Sequence, residues 1–118
     1  MISLVGPAKR VQTGPIHTTP AVLRLVDLVE VNDALQKHQN GDWGRVSRSD
    51  IYRNEYALIK GGRVTSAFQD KCGVRFWITT EADRSKTTVL LPRDNRDNTK
   101  PKLIVLKTAL RFFRRLFR

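Results

Sequence analysis

Within residues 17–92, the spacing of apolar residues changes once, at the Gly61-Gly62 pair. Before this pair, short segments with helical spacing follow residues that can cap a helix. After it, three short segments alternate between apolar and polar residues, which is typical of strands with one buried face. The sequence therefore predicts an α+β fold, in which two or three short helices precede a three-stranded antiparallel meander.

Local signals set the expected limits of these elements. Three helices are expected at about 20–29, 33–39 and from 50 to Gly61, with the caps Thr19, Asn32 and either Ser49 or Asp50. Pro20 suits the first position of the first helix. Three strands are expected at about 63–69, 74–80 and 87–91, and Pro92 ends the last of them.

Length and composition indicate one small domain. The chain has 118 residues, of which 40% are hydrophobic and 28% charged, values typical of globular proteins. It contains no apolar run long enough to span a bilayer, and residues 1–16 resemble an irregular arm rather than a signal peptide, so a cytoplasmic location is expected. A single cysteine, Cys72, excludes an internal disulfide. The expected organisation is an arm at 1–16, an α+β domain at 17–92, a linker at 93–101 and a C-terminal helix at 102–118.

The net charge of +11 is concentrated at the C-terminal end. Residues 93–118 contain nine Lys or Arg and two Asp, and residues 102–118 are predicted to form an amphipathic helix. Its cations, which are predicted to contact a polyanion, are Lys102, Lys107, Arg111, Arg114, Arg115 and Arg118. Three roles stay open for this helix: covering the open sheet face, binding a phosphate backbone, or lying on an anionic membrane surface.

Four blocks of the sequence carry a family resemblance: TTPAVL, HQNGDWG, NEYALIKGGRVTSAF and WITTEADRSKTTVLLP. Through them, the region from about His17 to Pro92 resembles a family of small bacterial proteins of plasmids, phages and other mobile elements. Such proteins are often labelled "plasmid-related protein" or "type I restriction endonuclease subunit M". The resemblance implies a mobile-element setting. It does not extend to the basic segment after Pro92, and Arg45 stands where the family pattern has an acidic residue.

A methyltransferase activity does not fit the sequence, because the chain lacks the length and the glycine-rich turn of a doubly wound cofactor-binding sheet. The polar residues of the matching blocks suit another chemistry, which is metal-independent cleavage of RNA. In this hypothesis His38 acts as general acid or base, and Arg63 or Arg84 holds the phosphate. The residues assigned to this site are His38, Arg63, Thr79, Arg84 and Thr88.

Each of these residues also has a structural interpretation. His38 near a helix end can complement the helix dipole, and Trp43 can anchor the loop HQNGDWG to the core. The remaining polar residues assigned to the family motif are Asp42, Asn54, Glu81 and Asp83, which can form turns and ion pairs. Asp42, Asp50, Glu81 and Asp83 could together hold a divalent cation, but their spacing matches no standard loop, so no metal ion and no cofactor are predicted.

The leading functional hypothesis is a non-catalytic protein that binds nucleic acid or a host defence or nucleic-acid-processing complex. The charge, the basic C-terminal segment and the mobile-element setting support it. The first alternative is an endoribonuclease that acts as a toxin. The second is an interaction protein that docks on an anionic membrane through residues 102–118.

Overall fold

The computed structural model of the chain describes residues 9–95. The elements in chain order are β1 Ile16–Thr18, α1 Pro20–Leu25, α2 Leu28–Gln39, α3 Arg48–Lys60, β2 Val64–Gln69, β3 Arg75–Thr80, β4 Thr87–Leu90 and a final 3-10 turn Pro92–Asn95. This order confirms the α+β class. The expected C-terminal helix and its cations lie outside the described residues.

The sheet differs from the expected one. It has four strands in the order β1-β4-β3-β2, and it is mixed. The antiparallel meander β2-β3-β4 is present, but β1 adds to it in parallel, with Ile16 opposite Thr87. The prediction of a three-stranded, purely antiparallel sheet is therefore wrong. β1 has only three residues, and its ladder depends on β4, a strand about 70 residues later in the chain, so no local pattern indicates it.

Capping side chains determine where the first two helices begin and end. Thr19 caps α1 and Pro20 occupies its first turn, as expected. α1 ends at Leu25, however, because the Asp27 carboxylate accepts the Val29 N–H at 2.8 Å and starts α2 there. Asn32 is therefore an exposed residue inside α2 rather than its cap.

The third helix begins slightly earlier than the sequence indicated. The Ser47 hydroxyl accepts the Asp50 N–H at 3.1 Å, so Ser47 is the cap. The helix ends at Gly61, as expected, and this glycine has a φ of 82°, in the left-handed region that favours glycine.

The helices cover one face of the sheet, which we call the inner face. The main core joins α1 and α2 to β3 and β4 and contains Ala21, Val22, Val26, Val31, Ala34, Phe76, Ile78, Val89 and Leu91. A second cluster joins the N-terminal segment, the α2–α3 loop, α3 and β2 through Val11, Trp43, Ala57 and Val64. Within residues 9–95, no helix is long and apolar enough to cross a membrane.

Candidate functional site

His38 lies in the interior, between the end of α2 and the inner face of the sheet, and its side chain is inaccessible to solvent. Its Nδ1 lies 2.7 Å from the Ser66 hydroxyl on β2, and its Nε2 lies 2.8 Å from the Thr80 hydroxyl on β3. The chain of contacts continues from Thr80 to the Thr87 hydroxyl at 2.7 Å, and from Thr87 to the carbonyl of Thr13 at 2.9 Å. Five residues thus form one buried hydrogen-bond network.

The Thr13 carbonyl determines how the protons of this network are arranged. A carbonyl can only accept, so Thr87 uses its single proton there and must accept from Thr80. Thr80 has then used its own proton, so it must accept from Nε2–H of His38. His38 therefore carries a proton on Nε2, and in the neutral ring its Nδ1 accepts from Ser66.

The pKa of His38 agrees with this assignment. Burial and, as the smaller cause, the positive charge of Arg84 together lower the pKa from its usual 6.5 to about 4. A histidine with this pKa is neutral at pH 7. It has no access to solvent or to a substrate in this conformation, and both ring nitrogens are already occupied by hydroxyl partners.

The rest of the HQNGDWG loop fixes the chain against the exposed edge of β2. The Asp42 carboxylate accepts the Gly44 N–H at 3.0 Å, which closes a tight turn. The Trp43 carbonyl accepts the Ala67 N–H at 3.0 Å, and the Arg45 N–H donates to the Ala67 carbonyl at 2.7 Å. Gly44 has a φ of 72°, and a Cβ there would lie 2.1 Å from the Ala67 oxygen. The loop therefore acts as a short extra strand on β2.

The Trp43 side chain is also held at both ends. It is buried, its ring meets the His38 ring edge to face at 5.8 Å, and its indole N–H donates to Glu55 at 3.0 Å. Glu55 also forms an ion pair with Arg10. The hydrogen bonds from Arg10 and then from Trp43 hold the pKa of Glu55 below its usual value. These contacts give Trp43 an anchoring role.

Asn54 satisfies the part of the β2 edge that the loop does not reach. Its amide nitrogen donates to the Thr65 carbonyl at 2.8 Å, and its amide oxygen accepts the Thr65 N–H at 3.1 Å. The Asn54 side chain, which extends from α3, thereby supplies the two hydrogen bonds that a neighbouring strand would supply. Asn54 is buried, and its role in the structure is to pair with β2.

Arg84 lies in the β3–β4 turn and binds backbone carbonyls. Its Nη1 donates to Gly62 at 2.6 Å and to Glu81 at 3.0 Å, while Nη2 reaches Ala57 at the end of α3 at 3.5 Å. Its φ of 61° is rare for a residue with a side chain. The guanidinium therefore joins the turn to the C-terminal end of α3, where its positive charge complements the helix dipole.

The other residues of the proposed catalytic set lie elsewhere. Arg63 is exposed and lies 3.8 Å from the carboxylate of Glu81, while Asp83 accepts the Ser85 N–H in the same turn at 3.0 Å. Thr79 and Thr88 are neighbours across β3 and β4, but they point to the sheet face opposite to His38. The structure thus does not bring the five residues into one site. His38 is buried, and Thr79 and Thr88 face outward. Arg63 lies near the Glu81 carboxylate, and Arg84 binds backbone carbonyls.

The sheet face opposite to the helices, which we call the outer face, shows a different grouping. Its members in the described strands are His17, Thr65, Ala67, Gln69, Arg75, Trp77, Thr79, Thr88 and Leu90. None of them belongs to either of the two core clusters found within residues 9–95. None is a carboxylate, whereas Arg75 and His17 are exposed and Trp77 is half-buried.

Two transverse rows organise the outer face. The first row contains Trp77, with Ala67 on one side and the buried Leu90 on the other. The second contains His17 and three threonines, Thr88, Thr79 and Thr65, of which the last two are in contact through their hydroxyls at 3.1 Å. The alternation of β3 places Trp77 opposite to Ile78, but His17 joins the face only through β1, which the sequence did not indicate.

Within residues 9–95, no three His, Cys, Asp or Glu side chains lie close enough together to hold a metal ion. Comparison with protein-family models, with curated proteins and with solved structures finds no match for this chain.

Proposed function

We propose that this chain is a non-catalytic nucleic-acid-binding protein of a mobile element, which acts in the cytoplasm on nucleic acid or on a host nucleoprotein complex. The observation that supports the proposal best is the outer face, which within residues 9–95 is covered by no helix and has no carboxylate among its members, and which carries an aromatic ring, a guanidinium, an imidazole and a row of hydroxyls.

This combination of side chains suits the binding of single-stranded nucleic acid better than the binding of a duplex. Bases of a single strand can stack on an aromatic side chain, and the stacking tolerates any sequence because every base has a flat face. Trp77 offers such a ring beside the small Ala67. Arg75 precedes it by two residues on the same face and can bind phosphate. The threonine row can accept and donate hydrogen bonds to sugars or base edges.

Charge adds a second contribution that does not depend on stacking. Residues 9–95 contain fourteen Lys or Arg and ten Asp or Glu, a net charge of +4, and the rest of the chain supplies a further +7. The cations of residues 102–118 would add affinity for any polyanion, and this part of the binding should weaken as salt is raised.

Binding of fluorescent single-stranded oligonucleotides to the full chain tests the proposal. Trp77→Ala should weaken binding about tenfold, since a stacked base contributes roughly 1–3 kcal/mol. Tyr52→Ala is the matched control, because it removes an exposed aromatic ring from α3, away from the sheet. Neutralising Lys107, Arg111, Arg114 and Arg118 together should flatten the dependence of log Kd on log salt by about 2–3, at roughly 0.7 per phosphate contact.

Equal affinities for the native chain, Trp77→Ala and Tyr52→Ala would remove the outer face from the proposal. The absence of binding by the native chain at low salt would refute the proposal as a whole. The endoribonuclease hypothesis stays a prediction, but the burial and neutrality of His38 do not favour it. Cleavage of RNA in EDTA by the native chain would support it. The membrane hypothesis depends on residues 102–118 and is tested by partition onto anionic vesicles.

A further inference from the structure

Four aliphatic side chains lie exposed at the corner where α1 passes into α2. They are Leu23, Leu25, Leu28 and Val29, which we call the aliphatic corner, and they are between 43% and 67% exposed. Single exposed aliphatic residues are common on protein surfaces, but four within seven consecutive residues are the pattern of a surface that another segment covers.

Residues 23–33 contain one cation, Arg24, and three carboxylates, so the charges around the aliphatic corner sum to −2. Asp27 lies between Leu25 and Leu28, and Asp33 lies one helical turn after Val29, on the same side of α2. Both carboxylates belong to exposed residues. The occupant of this surface should therefore combine apolar side chains with positive charge.

A second exposed apolar surface provides a comparison. On α3, Tyr52, Tyr56 and Ile59 share one side of the helix and are exposed. Its neighbours in the helix include the exposed cations Arg48 and Lys60, so this surface would repel a basic segment. The outer face of the sheet is also a poor site for an apolar occupant, because six of its nine members are polar or charged.

The C-terminal part of the chain leaves the fold close to the aliphatic corner. The Asp94 carboxylate accepts the hydroxyl proton of Thr19 at 2.8 Å and the Leu91 N–H at 2.9 Å. Thr19 is the cap of α1, and Leu25 lies about 9 Å along that helix. The six residues 96–101 can span up to about 20 Å, so residues 102 onward can reach the corner.

We propose that residues 102–118 dock on the aliphatic corner of the same chain. At helical spacing, Lys107, Arg111, Arg114 and Arg118 occupy a narrow arc, and the other side carries Ala109, Leu110, Phe112, Phe113, Leu116 and Phe117. Docking covers the apolar side with Leu23, Leu25, Leu28 and Val29. Arg114, at one border of the cationic arc, and Arg115, outside its other border, lie within reach of the carboxylates of Asp27 and Asp33. The remaining cations point outward, where they form a basic ridge that is fixed to the domain.

The single cysteine of the chain gives a direct test. Cys72 is exposed, and the N–H of its neighbour Lys71 donates to the Glu30 carboxylate in the first turn of α2 at 3.1 Å. A nitroxide attached to Cys72 therefore lies beside the aliphatic corner. In the isotope-enriched full chain, it should broaden the backbone amide signals of residues 102–118 by severalfold relative to the same sample after reduction of the nitroxide.

Variants separate docking from mere proximity. In Leu25→Asn/Leu28→Asn, and independently in Val29→Lys, the broadening of residues 102–118 should fall by at least half, while the amide signals of residues 9–95 keep their native positions. Tyr52→Asn/Tyr56→Asn is the matched control on α3 and should retain the native broadening. Equal broadening in the native chain and in both corner variants, or its absence in the native chain, would overturn the proposal.

A mixed sample identifies the occupant. The sample contains two forms of the chain. One form carries the nitroxide on Cys72 and is not isotope-enriched, and the other form is isotope-enriched and carries no nitroxide. No broadening in the enriched chain supports docking within one molecule. Broadening of its residues 102–118 would show instead that the corner receives the segment of a second copy, which overturns the proposal as stated. Neither result depends on whether the chain binds nucleic acid.

Discussion

Acidification should destabilise this fold through His38. The pKa of His38 is about 4 in the folded chain and near 6.5 in the unfolded chain, so the unfolded state binds the additional proton between these two values. The stability that depends on neutral His38 is therefore complete above pH 6.5 and is lost as the pH falls towards 4. At 1.36 kcal/mol for each pKa unit, the loss at pH 4 is about 3 kcal/mol. That is a large share of the roughly 5–15 kcal/mol typical of a domain.

The physical cause lies in the hydrogen-bond network. Protonation would place a hydrogen on Nδ1, opposite to a Ser66 hydroxyl that now donates to it at 2.7 Å. Ser66 would have to rotate its proton away, in a site from which solvent is excluded, and Arg84 would face a second positive charge.

Urea unfolding measured at pH 7 and pH 4 tests this expectation. Tryptophan fluorescence is a suitable signal, because Trp43 lies against the His38 ring. The native chain should lose about 3 kcal/mol more than His38→Gln between the two pH values, since glutamine does not titrate. His17→Gln removes the exposed histidine on β1 and should behave as the native chain does. An equal loss in the native chain and in His38→Gln would refute the reasoning.

Three further substitutions test the structural roles of other residues by urea unfolding at pH 7. Gly44→Ala should cost more than about 2 kcal/mol, because its Cβ would collide with the Ala67 carbonyl, whereas Gly61→Ala, which has the same sign of φ but open space, should cost about 1 kcal/mol. Asn54→Asp should cost about 2 kcal/mol, because a carboxylate cannot donate to the β2 carbonyl that the amide now binds; an unchanged midpoint would exclude this role. Arg84→Lys should cost about 1–2 kcal/mol, because lysine keeps the charge but not the planar set of donors; native stability in this variant would show that the carbonyl contacts contribute little.

The elements that the sequence predicted are those specified by neighbouring residues. Thr19 with Pro20 starts a helix, and Gly61 ends one, through contacts within a single turn of chain. The alternation of β2 and β3 is also local, and short turns leave the two strands little choice of partner. β1 is different, because a three-residue strand is defined only by the free edge of β4 that it joins.

In the candidate site too, neighbouring residues specify some features and residues far along the chain specify others. The sequence identified His38 as a residue with chemical potential, but its surroundings depend on residues 28 and 42 positions later in the chain. One signal was nevertheless present. Ser66 alternates in step with the apolar Val64, and Thr80 alternates in step with Phe76 and Ile78, so the alternation places both hydroxyls on the buried face. Hydroxyls at such positions indicate that a polar partner is buried opposite to them.

The network also determines how functional experiments on this chain must be interpreted. His38→Ala would leave the Ser66 and Thr80 hydroxyls without their partner in the interior, and each such group costs about 1–3 kcal/mol. A loss of activity in this variant is therefore also explained by destabilisation and would not identify a catalyst. His38→Gln is the informative change, because its amide can still donate to Thr80 while it cannot act as a general base near neutral pH. Retention of activity in His38→Gln would show that the function does not require the imidazole of His38 as a general base.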